Sequence, residues 1–458
     1  MKLIIGIIIT ILGFNIGVFA QDNPNIIIIF TDDQGYQDVG VFGSPLISTP
    51  NLDNMAKEGI KFTDFYAASS VCSPSRAALL TGAYPPRVGV PKVLWPNLPG
   101  GLSNEETTIA NMLKTKNYVT ACIGKWHLGD QQQYLPTSQG FDRYYGIPFS
   151  NDMSVNPNAK ISQKIVFRED MTLDSLKEKK WRGGKVPLMN QDEIVEYPVN
   201  QSNITKRYTE QAINFITKNK NENFFLYLAH SMPHVPLYAS ENFKGKSKRG
   251  LYGDAVEEID WSVGEILNTL KQQGLDENTL IIFTSDNGPW TSKGEQGGSA
   301  LPLRGQKHET FEGGFRVPMI AQWKGKIAPS TVTDEVASTI DILPTLAYLT
   351  SADLPKEKID GKNIWPLLSG KSNKKSPYNK GGFYYYLDSR LEAVRKGDWK
   401  LRIVEDNVAL YNLKNDISEQ HNLASEHPKI VKKLKKMMTN FDEELDQNKR
   451  NQQHLRTK

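Results

Sequence analysis

Asp32 and Asp33 stand directly after the apolar run Asn25 to Thr31, and Asp286 with Asn287 stand directly after a second run, Thr279 to Ser285. If the two runs lie side by side, three carboxylates meet, and they repel one another unless a cation sits among them. An all-oxygen set with no clustered histidine or cysteine suits a hard divalent ion, calcium or magnesium, better than zinc. The bland alternative is a pair of ordinary turns, since Asp, Asn and Gly all initiate turns. Taken together, at equivalent ends of two apolar runs, the pairs favour the metal.

The second constellation is Cys72-Ser73-Pro74-Ser75-Arg76, followed by the run Ala77 to Thr81 and by Gly82. Pro74 suits the first turn of a helix, so Cys72 is predicted at a helix N-terminus. Backbone N–H groups and the positive dipole end favour an anion there, and Arg76 adds a fixed charge. A buried packing cysteine ahead of a helix has the same spacing, so spacing alone leaves both readings open.

These residues need strands to hold them. Asn25 to Thr31 (NIIIIFT) is β-branched with no polar face, which reads as a strand buried on both sides. Tyr118 to Gly124, Asn223 to Ala229, Thr279 to Ser285 and Val317 to Trp323 read alike. Helical patterns fall between them at Thr107 to Lys116, Lys206 to Lys220, Asp254 to Gln273 and Ser338 to Leu349. The alternation predicts an α/β fold with a parallel or mixed sheet covered on both faces, and functional groups just past the carboxyl ends of its strands. Two regions break the pattern. Ser154 to Gln201 lacks periodicity and is expected to be a long surface excursion. After Gly370 to Lys380 come closely spaced runs, Gly382 to Leu387, Leu391 to Lys396, Asp398 to Val404 and Val408 to Leu413, which predict antiparallel hairpins. A final helix from Pro428 sets Ile430, Leu434, Met438 and Phe441 on one apolar face, while Lys432, Lys433, Lys435 and Lys436 solvate the other.

Composition narrows the class. With 458 residues, 39% hydrophobic and 23% charged, the chain is globular rather than fibrous or disordered. Its net charge of +4, from 55 basic and 51 acidic residues, is too balanced for a nucleic-acid footprint. Two cysteines, Cys72 and Cys122, exclude a disulfide scaffold. Residues 1–20 read as a signal peptide: Lys2, then an apolar run from Leu3 to Val18, then a small-residue exit at Ala20. An uncleaved anchor is the rival reading. Cleavage before Gln21 leaves a chain with no later apolar stretch long enough to span a bilayer, so a soluble periplasmic or secreted protein is expected. Asn200 and Asn203 begin sequons that matter only in a host that glycosylates exported proteins.

Cys-x-Pro-x-Arg followed by Thr81-Gly82 resembles the signature of the type I sulfatases of the alkaline phosphatase superfamily, whose cysteine is oxidised to formylglycine (3-oxoalanine). IIFTDDQGYQDVG from Ile28, GKWHLG from Gly124, PHVP around His234, FTSDNG from Phe283 and LRGQKHETFEGGFRVP from Leu303 match the same family in order along the chain. GIPFSNDM from Gly146 resembles the arylsulfatase A and galactosamine-6-sulfatase branch. The resemblance implies a large mixed, mostly parallel sheet sandwiched by helices, with a smaller C-terminal α+β domain. The expected division is a catalytic domain over 21–375 and an antiparallel sheet plus terminal helix over 376–458.

The resemblance also implies roles. Asp32, Asp33, Asp286 and Asn287 would hold one calcium ion together with an oxygen of the modified Cys72. One hydroxyl of the hydrated aldehyde would attack sulfur in line, and loss of a proton from the second would expel sulfate; a serine lacks that second hydroxyl. Arg76 would hold the hydrate, and Lys125 would bind both the hydrate and a sulfate oxygen, sharing a face with His127 if the segment is extended. His127 is expected to be the base of the elimination step, with a pKa near the working range. His234 and Lys307 would contact the sulfate and the bridging oxygen, one of the two protonating the leaving alcohol, and Ser150 would contact substrate. A maturating enzyme that makes formylglycine is an implied partner, and a sulfated poly- or oligosaccharide with galactose-type units the expected substrate. A phosphomonoester or phosphonate hydrolase on the same scaffold, or a non-catalytic binder of sulfated glycans, are the alternatives. His230, His308 and Cys122 are expected to pack or neighbour the site, and Trp95, Trp290 and Tyr384 to Tyr386 to pack rather than line a sugar site.

Overall fold

The computed structural model describes residues 23–370 and 374–450; the predicted signal peptide, residues 1–20, lies outside the described residues. Asn25–Thr31 and Thr279–Ser285 are strands with every residue buried, as their unbroken apolar runs require. They belong to an 11-stranded sheet. Its order is Thr331–Thr333, Ile60–Phe62, Met319–Gln322, Thr279–Ser285, Asn25–Thr31, Phe224–Ala229, Val119–Gly124, Arg143–Gly146, Leu188–Asn190, Glu193–Tyr197, Ile161–Phe167. The five central strands from Thr279–Ser285 to Arg143–Gly146 are mutually parallel, and antiparallel pairs flank them on both sides.

Helices form two groups. Pro50–Lys57 and Ile204–Lys218 pack on the long helix Leu251–Gln272, while Cys72–Thr81, Ile109–Lys114 and Ile342–Thr350 pack together. Ile204–Lys218 buries Ile204, Tyr208, Ala212, Phe215 and Ile216, the spacing of one helical face.

The expected excursion over Ser154 to Gln201 is instead built into the sheet. Ile161–Phe167, Leu188–Asn190 and Glu193–Tyr197 extend it beyond Arg143–Gly146. These strands are short or half-exposed, and Glu196 sits on a buried face, paired to Arg168 at 2.6 Å and Arg207 at 2.7 Å. A carboxylate on the inner face erases the alternation that would reveal a strand.

Phe383–Leu387, Arg390–Lys396, Trp399–Val404 and Asn407–Asn412 form a four-stranded antiparallel sheet, covered by the helix Pro428–Asn448 through Leu434, Met438 and Leu445. Tyr384 stacks on Phe441 at 3.8 Å, and Tyr385 and Tyr386 are buried, so these aromatics pack as expected. Across the junction, Glu312 receives Lys400 at 3.0 Å and the Tyr385 hydroxyl at 2.8 Å, and Lys400 also meets Glu419 at 2.8 Å. Thr310 donates to Glu392 and Arg402 donates to Thr310, so the small sheet grips the segment that follows Lys307.

Candidate active site

Strand register assembles the site. Thr31 pairs with Ser285 and Gly124 with Ala229 at the carboxyl ends of neighbouring parallel strands. Asp32–Asp33, Asp286–Asn287 and Lys125 are each the next residues along, which is where an open α/β sheet places its ligands. Gly124 is required here: its φ is +116°, and a Cβ would lie 1.8 Å from the Ala229 carbonyl oxygen. That close approach lets the Lys125 N–H donate to the same oxygen at 2.7 Å.

Cys72 opens the helix Cys72–Thr81, in which every residue is buried and which ends at Gly82 in the left-handed conformation. Its Sγ lies 3.4 Å from Asp32 Oδ1, 3.9 Å from Asp33 Oδ1 and 3.3 Å from Lys307 Nζ. Burial pushes the thiol pKa well above its ordinary value despite Lys125 and Lys307. Arg76, one helical turn on, binds Asp286 Oδ2 through Nε at 3.1 Å and Nη2 at 2.8 Å, and donates to the Lys125 carbonyl at 3.0 Å. Lys125 Nζ reaches Asp32 at 2.6 Å and Ser150 Oγ at 3.2 Å; Lys307 Nζ lies 2.8 Å from both oxygens of Asp33. His234 Nε2 stands 3.6 Å from Asp33 Oδ2. Ten of the eleven residues expected here, all but His127, thus form one connected cluster.

Ligand atoms from Asp32, Asp33, Cys72 and Asp286 all lie within 4.8 Å of one another. Asn287 Nδ2 donates to Asp33 Oδ1 at 2.7 Å, which leaves its buried Oδ1 without a hydrogen-bond partner. A buried orphan acceptor beside three carboxylates fits a hard cation. Burial would raise the Asp32 carboxyl, but Lys125, His234, Arg76 and Lys307 outweigh it and hold the pKa well below the usual range. Asp286 is pushed up to about 7 by burial and by Asp32, against Arg76 and Lys125. Asp32 and Asp286 are thus split by their surroundings, one held low by the cations around it and the other raised by burial and by its carboxylate neighbours.

His127 differs from expectation. The segment after Gly124 is not extended, since His127 has φ +61°. Burial, Lys125 and Arg76 push its pKa well below the ordinary value, away from the working range. Its Nε2 faces the Leu94 carbonyl at 3.0 Å and therefore carries the proton, leaving Nδ1 as a buried lone pair with no partner. The ring is a neutral base with a fixed tautomer.

Asn151 is a residue sequence reasoning passed over. His234 Nδ1 lies between Asn151 Oδ1 at 3.0 Å and the Val235 carbonyl at 2.6 Å, and Asn151 Nδ2 donates to the Pro236 carbonyl at 2.9 Å. Its position beside Ser150 in GIPFSNDM was the available signal. Trp290 also belongs to the site: Lys307 Nζ sits 4.8 Å from its ring centroid, and its ring lies 5.9 Å from that of His234. His230 is buried, 3.4 Å from Ser262, with its pKa lowered to about 3 by burial, and takes no part in the cluster. Cys122 is a free thiol buried in its strand, and Cys72 is also free.

The Sulfatase family model matches residues 24–352, most of the chain. The chain belongs to the sulfatase family. A second model, "N-sulphoglucosamine sulphohydrolase, C-terminal", matches residues 306–444. Human arylsulfatase A is 37% identical over 93% of this chain and 89% of its own. Dog N-acetylgalactosamine-6-sulfatase is 37% identical over 83% of this chain and 72% of its own. Among solved structures, Ps i-CgsB in complex with k-i-k-neocarrahexaose superposes with a TM-score of 0.80 at 33% identity, covering 92% of this chain and 93% of that one. The sulfatase is thus a hydrolase of sulfate esters, and its large mixed, mostly parallel sheet with a C-terminal antiparallel sheet is the sulfatase fold. No helix among the described residues is long and apolar enough to cross a membrane.

Proposed function

We propose that this sulfatase removes sulfate from a sulfated oligo- or polysaccharide, with Cys72 converted to formylglycine and one calcium ion at Asp32, Asp33, Asp286 and Asn287. The observation that carries the reading is the charge balance of the cluster. Three carboxylates, Asp32, Asp33 and Asp286, face three cations, Arg76, Lys125 and Lys307, all buried. A divalent ion leaves that pocket with surplus positive charge, which suits a sulfate anion. When present, the aldehyde supplies an oxygen nucleophile at neutral pH and the calcium ion stabilises its negative charge.

The chain's own residues have these roles. Arg76, anchored on Asp286 one helical turn after residue 72, would hold the hydrated aldehyde. Lys125 and Lys307 flank that position from two sides and neutralise charge on a sulfate oxygen. His127 Nδ1 accepts a proton, and His234, aligned by Asn151, stands with Lys307 on the side from which the alcohol leaves. Ser150 links Lys125 to His234 and contacts substrate.

Carbohydrate as the substrate is supported by relatives whose names specify N-acetylgalactosamine 6-sulfate and by the fold neighbour bound to a neocarrahexaose. Residues 21–375 form the catalytic domain, and 376–458 a subdomain that braces it. Residues 1–20 direct export to the periplasm or outside, and a maturating enzyme oxidises Cys72. A panel of defined sulfated saccharides assayed beside an aryl sulfate and an aryl phosphate tests the reading. Desulfation of at least one saccharide, with the aryl phosphate slow, is expected; turnover confined to the aryl substrates contradicts it.

A further inference from the structure

Two tryptophans remain unexplained by the catalytic cluster. Trp95 is 46% exposed and Trp181 is 54% exposed, and their rings meet at 5.8 Å with an interplanar angle of 53°. They are 86 positions apart in the chain. Keeping two indoles together in water forgoes the burial that such large apolar rings normally gain, so the pair calls for an occupant.

Both are tied to the active site by their immediate neighbours. Leu94 donates its N–H to Ser73 Oγ at 3.1 Å and offers its carbonyl to His127 at 3.0 Å, so Trp95 follows a residue that touches the catalytic helix and the proposed base. On the other side, Arg182 N–H donates to Ser154 Oγ at 3.2 Å and Gly184 N–H to the Asp152 carbonyl at 2.8 Å. Gln201 Nε2 bridges the Asn151 and Gly184 carbonyls at 3.0 and 3.1 Å. Trp181 is therefore fastened to the loop that carries Ser150 and Asn151. The ring contact joins the segment that follows Leu94, the partner of His127, to the segment fastened to the Ser150–Asn151 loop.

The chain around Trp181 is strongly basic. Lys177, Lys179, Lys180, Arg182 and Lys185 stand against Glu178 alone between residues 177 and 185. Arg182 is paired to Glu178 and Lys185 to Glu169, which leaves Lys177, Lys179 and Lys180 as exposed cations in the residues just before Trp181.

We propose that Trp95 and Trp181 form a secondary saccharide subsite. A pyranose ring next to the sulfated unit being cleaved packs its apolar C–H face on the indoles, and the lysines beside Trp181 engage further sulfate groups along the chain. An apolar face to stack on and cations in the residues just before it are complementary to a polyanionic glycan. The inference rests on the carbohydrate reading above and goes beyond it, because it makes the enzyme selective for oligosaccharides over single sulfated sugars. The pair touches neither the metal ligands nor Cys72, so its loss should act on KM for long substrates and not on chemistry.

The test uses the mature, full-length enzyme and its Trp95→Ala, Trp181→Ala and Trp181→Phe variants. Each is assayed on a neocarrahexaose, or on another sulfated hexasaccharide that the wild type desulfates, and on an aryl sulfate. The expected result is a rise of roughly ten-fold in KM on the hexasaccharide for each alanine variant, partial rescue by Trp181→Phe, and an unchanged kcat/KM on the aryl sulfate. Unchanged hexasaccharide kinetics overturn the subsite while leaving the carbohydrate reading intact. Equal losses on both substrates also overturn it, by assigning the indoles a purely structural role. A wild type that cleaves the aryl sulfate and no saccharide contradicts the carbohydrate reading itself, and the subsite falls with it.

Discussion

Replacing Lys400 by Met probes how the small sheet supports the catalytic cluster. Lys400 Nζ lies 3.0 Å from Glu312 and 2.8 Å from Glu419, and all three side chains are fully buried. At an effective dielectric of about 20, each contact is a gross attraction of roughly 5 kcal/mol, most of it offset by the desolvation of the three charges. Removing the cation leaves two buried carboxylates facing each other, a loss of about 3–5 kcal/mol. With an unfolding entropy of about 2.1 cal/mol/K per residue over roughly 430 residues, Tm falls by about 3–6 °C. The deficit depends on pH. Burial already raises the Glu419 pKa, and without Lys400 it rises further, so the folded variant binds a proton that the unfolded chain releases and its stability falls as pH rises. Glu312 is held at about 2, its burial outweighed by Lys400, Arg395 and Arg316, and it loses part of that depression in the variant. The stability that its low pKa contributes is present above the unfolded value and shrinks in the variant, which adds to the deficit at neutral pH. Thermal unfolding at about pH 5 and pH 8 reads both effects: the gap to wild type should be larger at the higher pH. Turnover should fall too, since Glu312 lies five residues after Lys307. A Tm within about 1 °C of wild type, or a gap that narrows as pH rises, would refute the reasoning.

Cys72→Ala should abolish aryl sulfate turnover with the fold retained by circular dichroism, and Cys72→Ser should support no more than a single turnover, because serine lacks the second hydroxyl. Chelation should lower both Tm and activity, and calcium rather than zinc should restore them; at a free ion concentration about 100-fold above Kd the stabilisation is about 2.7 kcal/mol. Lys125→Ala and Lys307→Ala should each lower kcat by about 100- to 1000-fold, measured on an aryl sulfate at saturation.

The site was more legible in the sequence than parts of the fold. Asp32, Asp33, Asp286 and Asn287 could be placed because strand ends are readable wherever an apolar run stops, and the Thr31 to Ser285 register puts them side by side. His127 was assigned as a base from its type, but its lowered pKa and its tautomer come from burial and from the Leu94 carbonyl, which lies 33 positions away in the chain. Asn151 escaped notice for the same reason, since its partner His234 is 83 positions distant. Strand Glu193–Tyr197 was hidden because Glu196 is buried through ion pairs with Arg168 and Arg207, and no local pattern encodes a partner that tertiary packing supplies. The four hairpin strands of the C-terminal sheet were visible because their turns and alternation are local.

The central claim is that Cys72 is spent on an aldehyde at the heart of a calcium-dependent sulfatase site. The most direct measurement is mass spectrometry of the peptide carrying residue 72, taken from active enzyme purified from its native host and compared with the same preparation's turnover of an aryl sulfate. The account predicts a peptide lighter by the exchange of a thiol and a hydrogen for a carbonyl oxygen, in proportion to specific activity, with Cys122 unchanged. Fully active enzyme carrying an intact Cys72 thiol, or a disulfide between Cys72 and Cys122, would contradict it.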